Sequence, residues 1–132
     1  MEFTKENVIK EFEELTGEKV EKIKVNFDWS VKYFEIETED KEYIVLKNEE
    51  EAEELAKERV TEDFINEPEL FNKDWLETEI RNLRKEDFED NESVADVIGR
   101  KAVEIDGYAH FLAYYDGSSE FTKSGFVVMR IN

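Results

Sequence analysis

The sequence predicts an α+β domain in which helices cover a small antiparallel sheet. Three observations predict this class: alternating apolar and polar residues between positions 23 and 46, helical apolar periodicity through the middle of the chain, and a strand-favouring segment near position 130. The chain has 132 residues, a length typical of one domain, and no proline-, glycine- or serine-rich linker divides it. We therefore expect a single domain over residues 1–132, with about four strands.

The first expected element is a helix that begins after Thr4 and ends at Gly17. The Thr4 side chain can accept a hydrogen bond from a backbone amide of the first turn, and glycine readily adopts the left-handed conformation that ends helices. Between them, four apolar residues fall on one helical face: Val8, Ile9, Phe12 and Leu15. This periodicity predicts an amphipathic helix.

Three strands are expected next. The first alternates with polar residues, which predicts a strand with one buried face, and its apolar members are Ile23, Val25, Phe27 and Trp29. Segments 31–38 and 42–46 continue a meander, and segment 126–131 is rich in residues that favour strands. These four segments form the expected sheet.

Helices are expected through the middle of the chain. Asn48 can cap a helix that should end before Asn66 and Pro68, with its buried stripe formed by Ala52, Leu55, Ala56, Val60 and Phe64. Apolar spacing predicts a second helix over 75–83 and a third from position 94 that is interrupted or ends near Gly99. Segment 108–115 fits either a short helix or a strand.

The net charge limits the possible partners. Asp and Glu number 36 against 18 Lys and Arg, which gives −18 at pH 7. A charge of this size disfavours unaided binding to nucleic-acid phosphates and to anionic membranes. Apolar runs are too short to cross a bilayer and residues 1–6 do not resemble a secretion signal, so we expect a cytoplasmic protein. The lack of cysteine excludes disulfides and thiolate metal sites.

Two stretches carry most of the excess acid. Residues 49–69 contain ten acids against two bases, and residues 86–96 contain six acids and no base. Such stretches form either solvated helix faces or a surface that imitates nucleic acid toward a basic partner. On the second interpretation, the predicted partner-binding acids are Glu50, Glu54, Glu58, Glu62, Asp63, Glu86, Asp87, Glu89 and Asp90.

Aromatic residues cluster on the expected meander: Phe27, Trp29, Tyr33 and Phe34. Stacking of nucleobases on them would have to overcome the repulsion between nucleic-acid phosphates and a chain of net charge −18. Core packing and protein contacts are the better uses. Trp29 and Tyr33, at the end of one strand and the start of the next, are predicted partner-binding anchors.

The single histidine and the acidic turns offer little catalytic chemistry. His110 lies beside apolar residues, and its interpretation as a structural histidine is favoured over that of a metal ligand. The segment 116–120 lacks the alternating ligands of a calcium loop and predicts a turn. No catalytic residue, cofactor or metal is therefore predicted. The enzymatic alternative is a metal-assisted hydrolase built on His110, Asp106 and Asp116.

From Tyr43 onward the chain resembles a family of small acidic proteins carried by phages and prophages, which has no assigned function. The resemblance rests on the order and spacing of several short segments: Tyr43-Ile44-Val45-Leu46, the acidic helix with Glu51-Ala52 and Ala56, Ala102, Asp106-Gly107, His110-Phe111-Leu112-Ala113, Tyr115-Asp116-Gly117 and Arg130-Ile131-Asn132. Two positions depart from it, since Met129 stands where an aromatic residue is expected and Ala109 where glycine is usual. The family supplies no catalytic residues and implies a setting in which small phage proteins antagonise host defence or transcription.

The hypothesis that combines these observations is a phage-encoded, non-enzymatic inhibitor. Its acidic surface would occupy the basic nucleic-acid-binding groove of a host defence protein, in the manner of an anti-CRISPR or anti-restriction protein. The protein would bind neither nucleic acid nor membrane directly. The metal-assisted hydrolase and a phage structural or accessory domain are the alternatives.

Overall fold

The structure, a computed structural model, describes residues 2–67, 69, 73–89 and 92–132. A five-stranded antiparallel sheet lies between two helical layers, so the expected α+β class is confirmed. One helix covers one face of the sheet, and several helices from the second half of the chain cover the other. Both faces are thereby removed from water over most of their area.

The first helix, α1, spans Lys5–Thr16 and has the predicted ends. The Thr4 hydroxyl accepts a hydrogen bond from the Asn7 amide at 3.3 Å, and Gly17 adopts the left-handed conformation with φ of 72°. Val8 and Phe12 are buried against the sheet. The predicted amphipathic face is therefore the face that packs.

The sheet contains β1 (Lys22–Asp28), β2 (Val31–Glu37), β3 (Glu42–Leu46), β4 (Ser119–Phe121) and β5 (Val127–Arg130). Their order is β1-β2-β3-β5-β4, and every neighbouring pair is antiparallel. The meander and the pairing of the last strand into the sheet were expected. The short fifth strand, β4, was not, because its three residues carry no alternating pattern and it is defined by pairing with β5.

The remaining helices are α2 (Glu49–Asn66), α3 (Lys73–Asn82), α4 (Val94–Asp106) and α5 (Tyr108–Leu112), with a short 3-10 turn over Lys85–Asp87. Asn48 caps α2 as predicted, since its side chain accepts a hydrogen bond from the Glu51 amide at 2.9 Å. The ambiguous segment 108–115 begins with the short helix α5. No helix in the described part of the chain is long and apolar enough to cross a membrane.

The expected break near Gly99 is wrong, because α4 continues seven residues beyond it. Gly99 instead allows close approach of α4 to α2. A Cβ at this position would overlap the Thr61 hydroxyl and would lie 3.1 Å from the Lys57 carbonyl oxygen. The glycine is used for helix–helix contact rather than for helix termination.

The core consists of two clusters, one on each face of the sheet. On the α1 face it contains Val8, Phe12, Phe34, Ile36, Tyr43, Val45, Phe126 and Val128. On the other face, β2, β3 and β5 pack against α2, α4 and α5, and the larger buried side chains are Tyr33, Ile44, Leu46, Leu55, Leu112 and Met129. Successive residues of β5 therefore contribute to both clusters.

Strand β1 departs from the expected half-buried strand. Ile23 is partly buried against the α1 cluster, but Val25 and Phe27 are 43% and 65% exposed. The reason is position, because β1 is an edge strand and α1 packs on the strands beside it. The alternating pattern correctly predicts a strand here and wrongly predicts that its apolar face is covered.

Candidate functional site

A row of glutamates runs along α2. Glu50, Glu54, Glu58 and Glu62 are four residues apart, so successive members lie about 6 Å apart along the helix axis and about 40° apart around it. The opposite side of α2 carries Ala52, Leu55, Ala56 and Val60, which are buried on the sheet. Burial of that apolar stripe fixes the helix rotation, which leaves Glu50 and Glu62 exposed and Glu54 and Glu58 partly buried.

The carboxylates of this row affect one another. Partial burial, followed by the neighbouring Glu54 carboxylate, raises the pKa of Glu58. A raised pKa means that the ionised form of Glu58 is disfavoured in the folded protein.

Helix α4 runs antiparallel to α2 and completes an acidic groove. The Tyr108 hydroxyl, just after α4, donates to the Glu49 carboxylate at the start of α2 at 3.1 Å, while Gly99 approaches Thr61 farther along α2. The groove has a volume of about 560 Å³. Its charged lining residues are Glu50, Glu53, Glu54, Lys57, Glu89, Arg100 and Glu104.

The two cations in this groove are held by a carboxylate beneath it. Glu92, whose side chain is only 6% exposed, pairs with Arg100 at 3.1 Å and with Lys57 at 3.7 Å. The hydrogen bond from Arg100 holds the pKa of Glu92 below its ordinary value, and Glu92 in turn raises the pKa of Arg100. Because both cations are shared with Glu92, the outer glutamates are only partly neutralised.

The structure brings together some members of the two predicted acidic stretches. Glu89 meets Glu50 and Glu54 of the α2 row at the groove, whereas Glu58 and Glu62 do not line it. Arg100 draws in the second stretch because it donates to the Asp87 carbonyl oxygen. Asp63 is exposed near the end of α2, and Glu86 and Asp87 belong to the 3-10 turn. Asp90 lies outside the described residues.

Seven groove residues were not among the predicted site residues, and three of these carry an acidic or hydroxyl group: Glu53, Glu104 and Tyr108. Glu53 adjoins the row on α2, and Glu104 and Tyr108 lie beyond the second acidic stretch, within or just after α4. Only the antiparallel packing of α4 on α2 brings them together, and charge runs along the chain carry no signal of that packing. An acidic residue four positions from Arg100 was the available sequence clue to Glu104.

The two predicted aromatic anchors, Trp29 and Tyr33, differ in exposure. Trp29 is half-exposed in the turn between β1 and β2, with a φ of 55°, a conformation that is uncommon for a bulky residue. Tyr33 is 4% exposed, and its hydroxyl donates to Asp28 at 3.0 Å. The prediction of Tyr33 as a surface anchor is wrong, because its side chain belongs to the helical-face cluster.

Arg59 of α2 joins the end of the β1–β2 hairpin to the helical layer. It pairs with Asp28 at 3.1 Å and donates to the Tyr33 hydroxyl at 3.3 Å. Burial and the neighbouring Asp28 raise the pKa of Tyr33. Arg59 therefore binds the β1–β2 hairpin and lies on a different side of α2 from the acid row.

The residues of the alternative hydrolase site are exposed at separate places. Asp106 ends α4, His110 lies in α5, and Asp116 lies in the following turn, where it accepts a hydrogen bond from the Ser118 amide at 3.0 Å. Among residues 2–67, 69, 73–89 and 92–132, no group of three or more His, Asp or Glu residues is arranged to hold a metal ion.

Comparison with known proteins adds no relative: no family model matches the chain, and neither a curated protein nor a solved structure shows significant similarity to it.

Proposed function

We propose that the protein is a non-enzymatic inhibitor that binds, through its acidic helical surface, the basic nucleic-acid-binding groove of a host defence complex of the CRISPR or restriction type. The observation that supports this most is the glutamate row of α2, whose members Glu50 and Glu54 line a groove in which both cations are shared with Glu92. A basic protein groove is the surface that complements such a field.

The charge density of α2 approaches that of a nucleic-acid strand. Its 18 residues extend about 27 Å and contain eight acids and two bases, a net charge of −6. This is about one charge per 4.5 Å, against one per about 3.4 Å along one strand of DNA. Since Arg59 and Lys57 are paired with Asp28 and Glu92, the outward-facing charge is more negative than the net value indicates.

The test is retention of basic proteins from a bacterial lysate on the immobilised protein. The wild type is compared with a variant in which the row is neutralised by Glu50→Gln, Glu54→Gln, Glu58→Gln and Glu62→Gln. Glutamine keeps the helix propensity and the side-chain size. We expect the wild type to retain nucleic-acid-binding proteins that double-stranded DNA elutes, and the neutralised variant to lose them.

The matched control removes the same four charges elsewhere. Four exposed glutamates lie outside the layer formed by α2, α3, α4 and α5: Glu6, Glu14, Glu21 and Glu39. Glu11 is unsuitable because it is buried and accepts hydrogen bonds from Ser124. The control variant should behave as wild type. Equal retention by the wild type and the row variant, or retention that DNA does not reverse, would contradict the proposal.

Salt and His110 provide two further measurements on the same captured partner. Affinity should fall steeply between 0.1 and 1 M NaCl, because the screening length drops from about 10 Å to about 3 Å. His110→Gln should leave the affinity unchanged, because His110 lies in α5 and does not line the acidic groove. If His110→Gln abolished the biological effect while the fold persisted, the hydrolase alternative would gain support.

A further inference from the structure

In the part of the chain that the structure describes, the backbone groups on the outer edge of β1 pair with no other strand. Thr38 donates to the Lys41 carbonyl oxygen at 2.9 Å, which closes the β2–β3 hairpin with a hydrogen-bonded pair. Hydrogen-bonded pairs alternate along an antiparallel strand, so the backbone amides and carbonyls of Phe34 and Ile36 also point toward β3. Those of residues 33, 35 and 37 point toward β1. The amides and carbonyls of Ile23, Val25 and Phe27 therefore point away from the sheet.

Apolar side chains accompany this edge. Val25 and Phe27 lie on the α1 face, beyond the area that α1 covers, and both are substantially exposed. The opposite face of β1 carries Lys22, Lys24, Asn26 and Asp28. An exposed edge strand with an apolar side is a template for pairing with another strand.

The sequence of β1 complements itself in antiparallel orientation. With a two-fold axis at Val25, each Val25 faces its own copy and Ile23 faces Phe27, so all apolar side chains meet on one face. On the other face Lys22 lies opposite Asp28, and Lys24 lies opposite Asn26. We infer that β1 pairs with β1 of a second copy and joins two sheets into one of ten strands.

The backbone geometry supports the same register. In this register the residues with outward-pointing backbone groups face one another: residue 23 pairs with 27 of the second copy, 25 with 25, and 27 with 23. Each of these three pairs forms two hydrogen bonds, which gives six across the interface. A shift of two residues toward the N-terminus would place Lys24 opposite its own copy, and like charges directly opposite are destabilising. The register centred on Val25 pairs all seven residues without a like-charge contact.

The charge of β1 sets it apart from the rest of the chain. The strand contains two lysines and one aspartate, a net charge of +1, in a chain of net charge −18. This edge is therefore a place where two strongly acidic copies can approach with little local repulsion. Because the remaining acids still repel one another, added salt should strengthen this association.

The experiment is the molar mass in solution, measured by light scattering after size-exclusion chromatography and by sedimentation equilibrium. At 0.5 M NaCl and high protein concentration, the wild type should approach twice 15.7 kDa and should dissociate toward 15.7 kDa at low salt. Val25→Lys should remain monomeric under every condition, because it places two ammonium groups at the two-fold axis. Val25→Pro removes an outward amide while the β1–β2 hydrogen bonds are kept, and it should also be monomeric.

Ile105→Lys is the matched control. Ile105 is an apolar residue of α4 that is 61% exposed, and the substitution changes the net charge by the same amount as Val25→Lys. It should associate as wild type does. Circular dichroism establishes that each variant is folded, and Val25→Lys suffices alone if Val25→Pro does not fold.

Two outcomes would overturn the inference: a wild type of 15.7 kDa at high salt and high concentration, or a Val25→Lys variant that associates as the wild type does. The first outcome would leave the β1 edge to a strand of a different protein. The inference is independent of the proposed function, since basic-partner binding weakens with salt and strand pairing between two acidic copies strengthens.

Discussion

Each helical layer contains a glutamate whose side chain is buried, but the two glutamates, Glu11 and Glu92, are held differently. On the α1 face, Glu11 accepts hydrogen bonds from the Ser124 amide, at 2.8 Å, and from the Ser124 hydroxyl. In the helical layer opposite, Glu92 lies between the cations Arg100 and Lys57. One carboxylate is stabilised by neutral donors and the other by ion pairs.

This difference affects which surfaces of the molecule remain negatively charged. A chain with 36 acids and 18 bases has few cations available to neutralise any one surface. Glu11 uses none of them, whereas Glu92 engages Arg100 and Lys57, the two cations that line the groove. Five glutamates line the same groove, so it stays acidic although Arg100 also pairs with Glu104 and Glu89.

The largest expected effect comes from removing the strand that both faces share. Deletion of residues 126–132 removes four buried side chains, Phe126, Val127, Val128 and Met129. Truncation of one such side chain typically costs about 2–5 kcal/mol, and a domain of this size has about 5–15 kcal/mol in total. We expect no cooperative thermal transition by circular dichroism and strong binding of a hydrophobic dye. A cooperative transition in the deletion variant would contradict the assignment of β5 to both clusters.

The second prediction compares the two buried glutamates directly. Glu92→Gln leaves Arg100 and Lys57 without their shared carboxylate, so the free energy of unfolding should fall by about 2 kcal/mol. Glu11→Gln retains one acceptor oxygen for Ser124 and should cost about 1 kcal/mol. Urea denaturation at low and high NaCl measures both. High salt should reduce the loss of unfolding free energy more for Glu92→Gln than for Glu11→Gln. An equal effect of salt on both variants would contradict the difference between ion pairs at Glu92 and neutral hydrogen bonds at Glu11.

Acid should act on both glutamates in the same direction. Burial by itself would raise the pKa of Glu11, but the hydrogen bonds of its carboxylate, led by that from Ser124, outweigh burial and lower the pKa. The pKa of Glu92 is also lowered, chiefly by Arg100. For a carboxylate of lowered pKa, the stabilising contribution is present above the ordinary value of 4.5 and is lost as the pH falls through the folded-state pKa. The penalties of both substitutions should therefore shrink below pH 4.5.

The smallest expected effect has the opposite sign. The pKa of Glu58 is raised by partial burial and by Glu54, so its ionised form is disfavoured in the folded protein at neutral pH. Glu58→Gln should therefore increase the free energy of unfolding by about 0.5 kcal/mol at pH 7, the usual scale of a like-charge pair four residues apart. The gain should vanish as the pH falls through the raised pKa toward 4.5. A loss of stability at pH 7 would show that Glu58 is held by favourable contacts.

Much of the fold was predictable because its local signals agree with its packing. Thr4 and Asn48 cap the helices that they were expected to cap, and the stripe from Ala52 to Val60 packs on the sheet. The predicted break near Gly99 was wrong because the sequence does not distinguish a glycine that ends a helix from one that permits close contact between helices. The covering of β1 was likewise not predictable, since strand order within a sheet depends on long-range pairing.

The acidic surface was predictable as composition and not as a site. The four-residue spacing of Glu50, Glu54, Glu58 and Glu62 is visible in the sequence, whereas the groove depends on α4 lying against α2. Tyr33 was predicted at the surface because an aromatic residue at a strand start can face either layer. Its burial follows from pairing β2 between β1 and β3, beneath the helical layer.

The position of β5 also has a consequence for how the chain folds during synthesis. Glu11 and Ser124 are separated by 113 positions, and β5 lies beside β3 in the interior of the sheet. Neither apolar cluster can close until residues 126–129 have left the ribosome, so the domain must fold after most of it has been made. During that interval β3 presents an unpaired edge, and we expect the net charge of −18 to oppose aggregation of nascent chains through that edge.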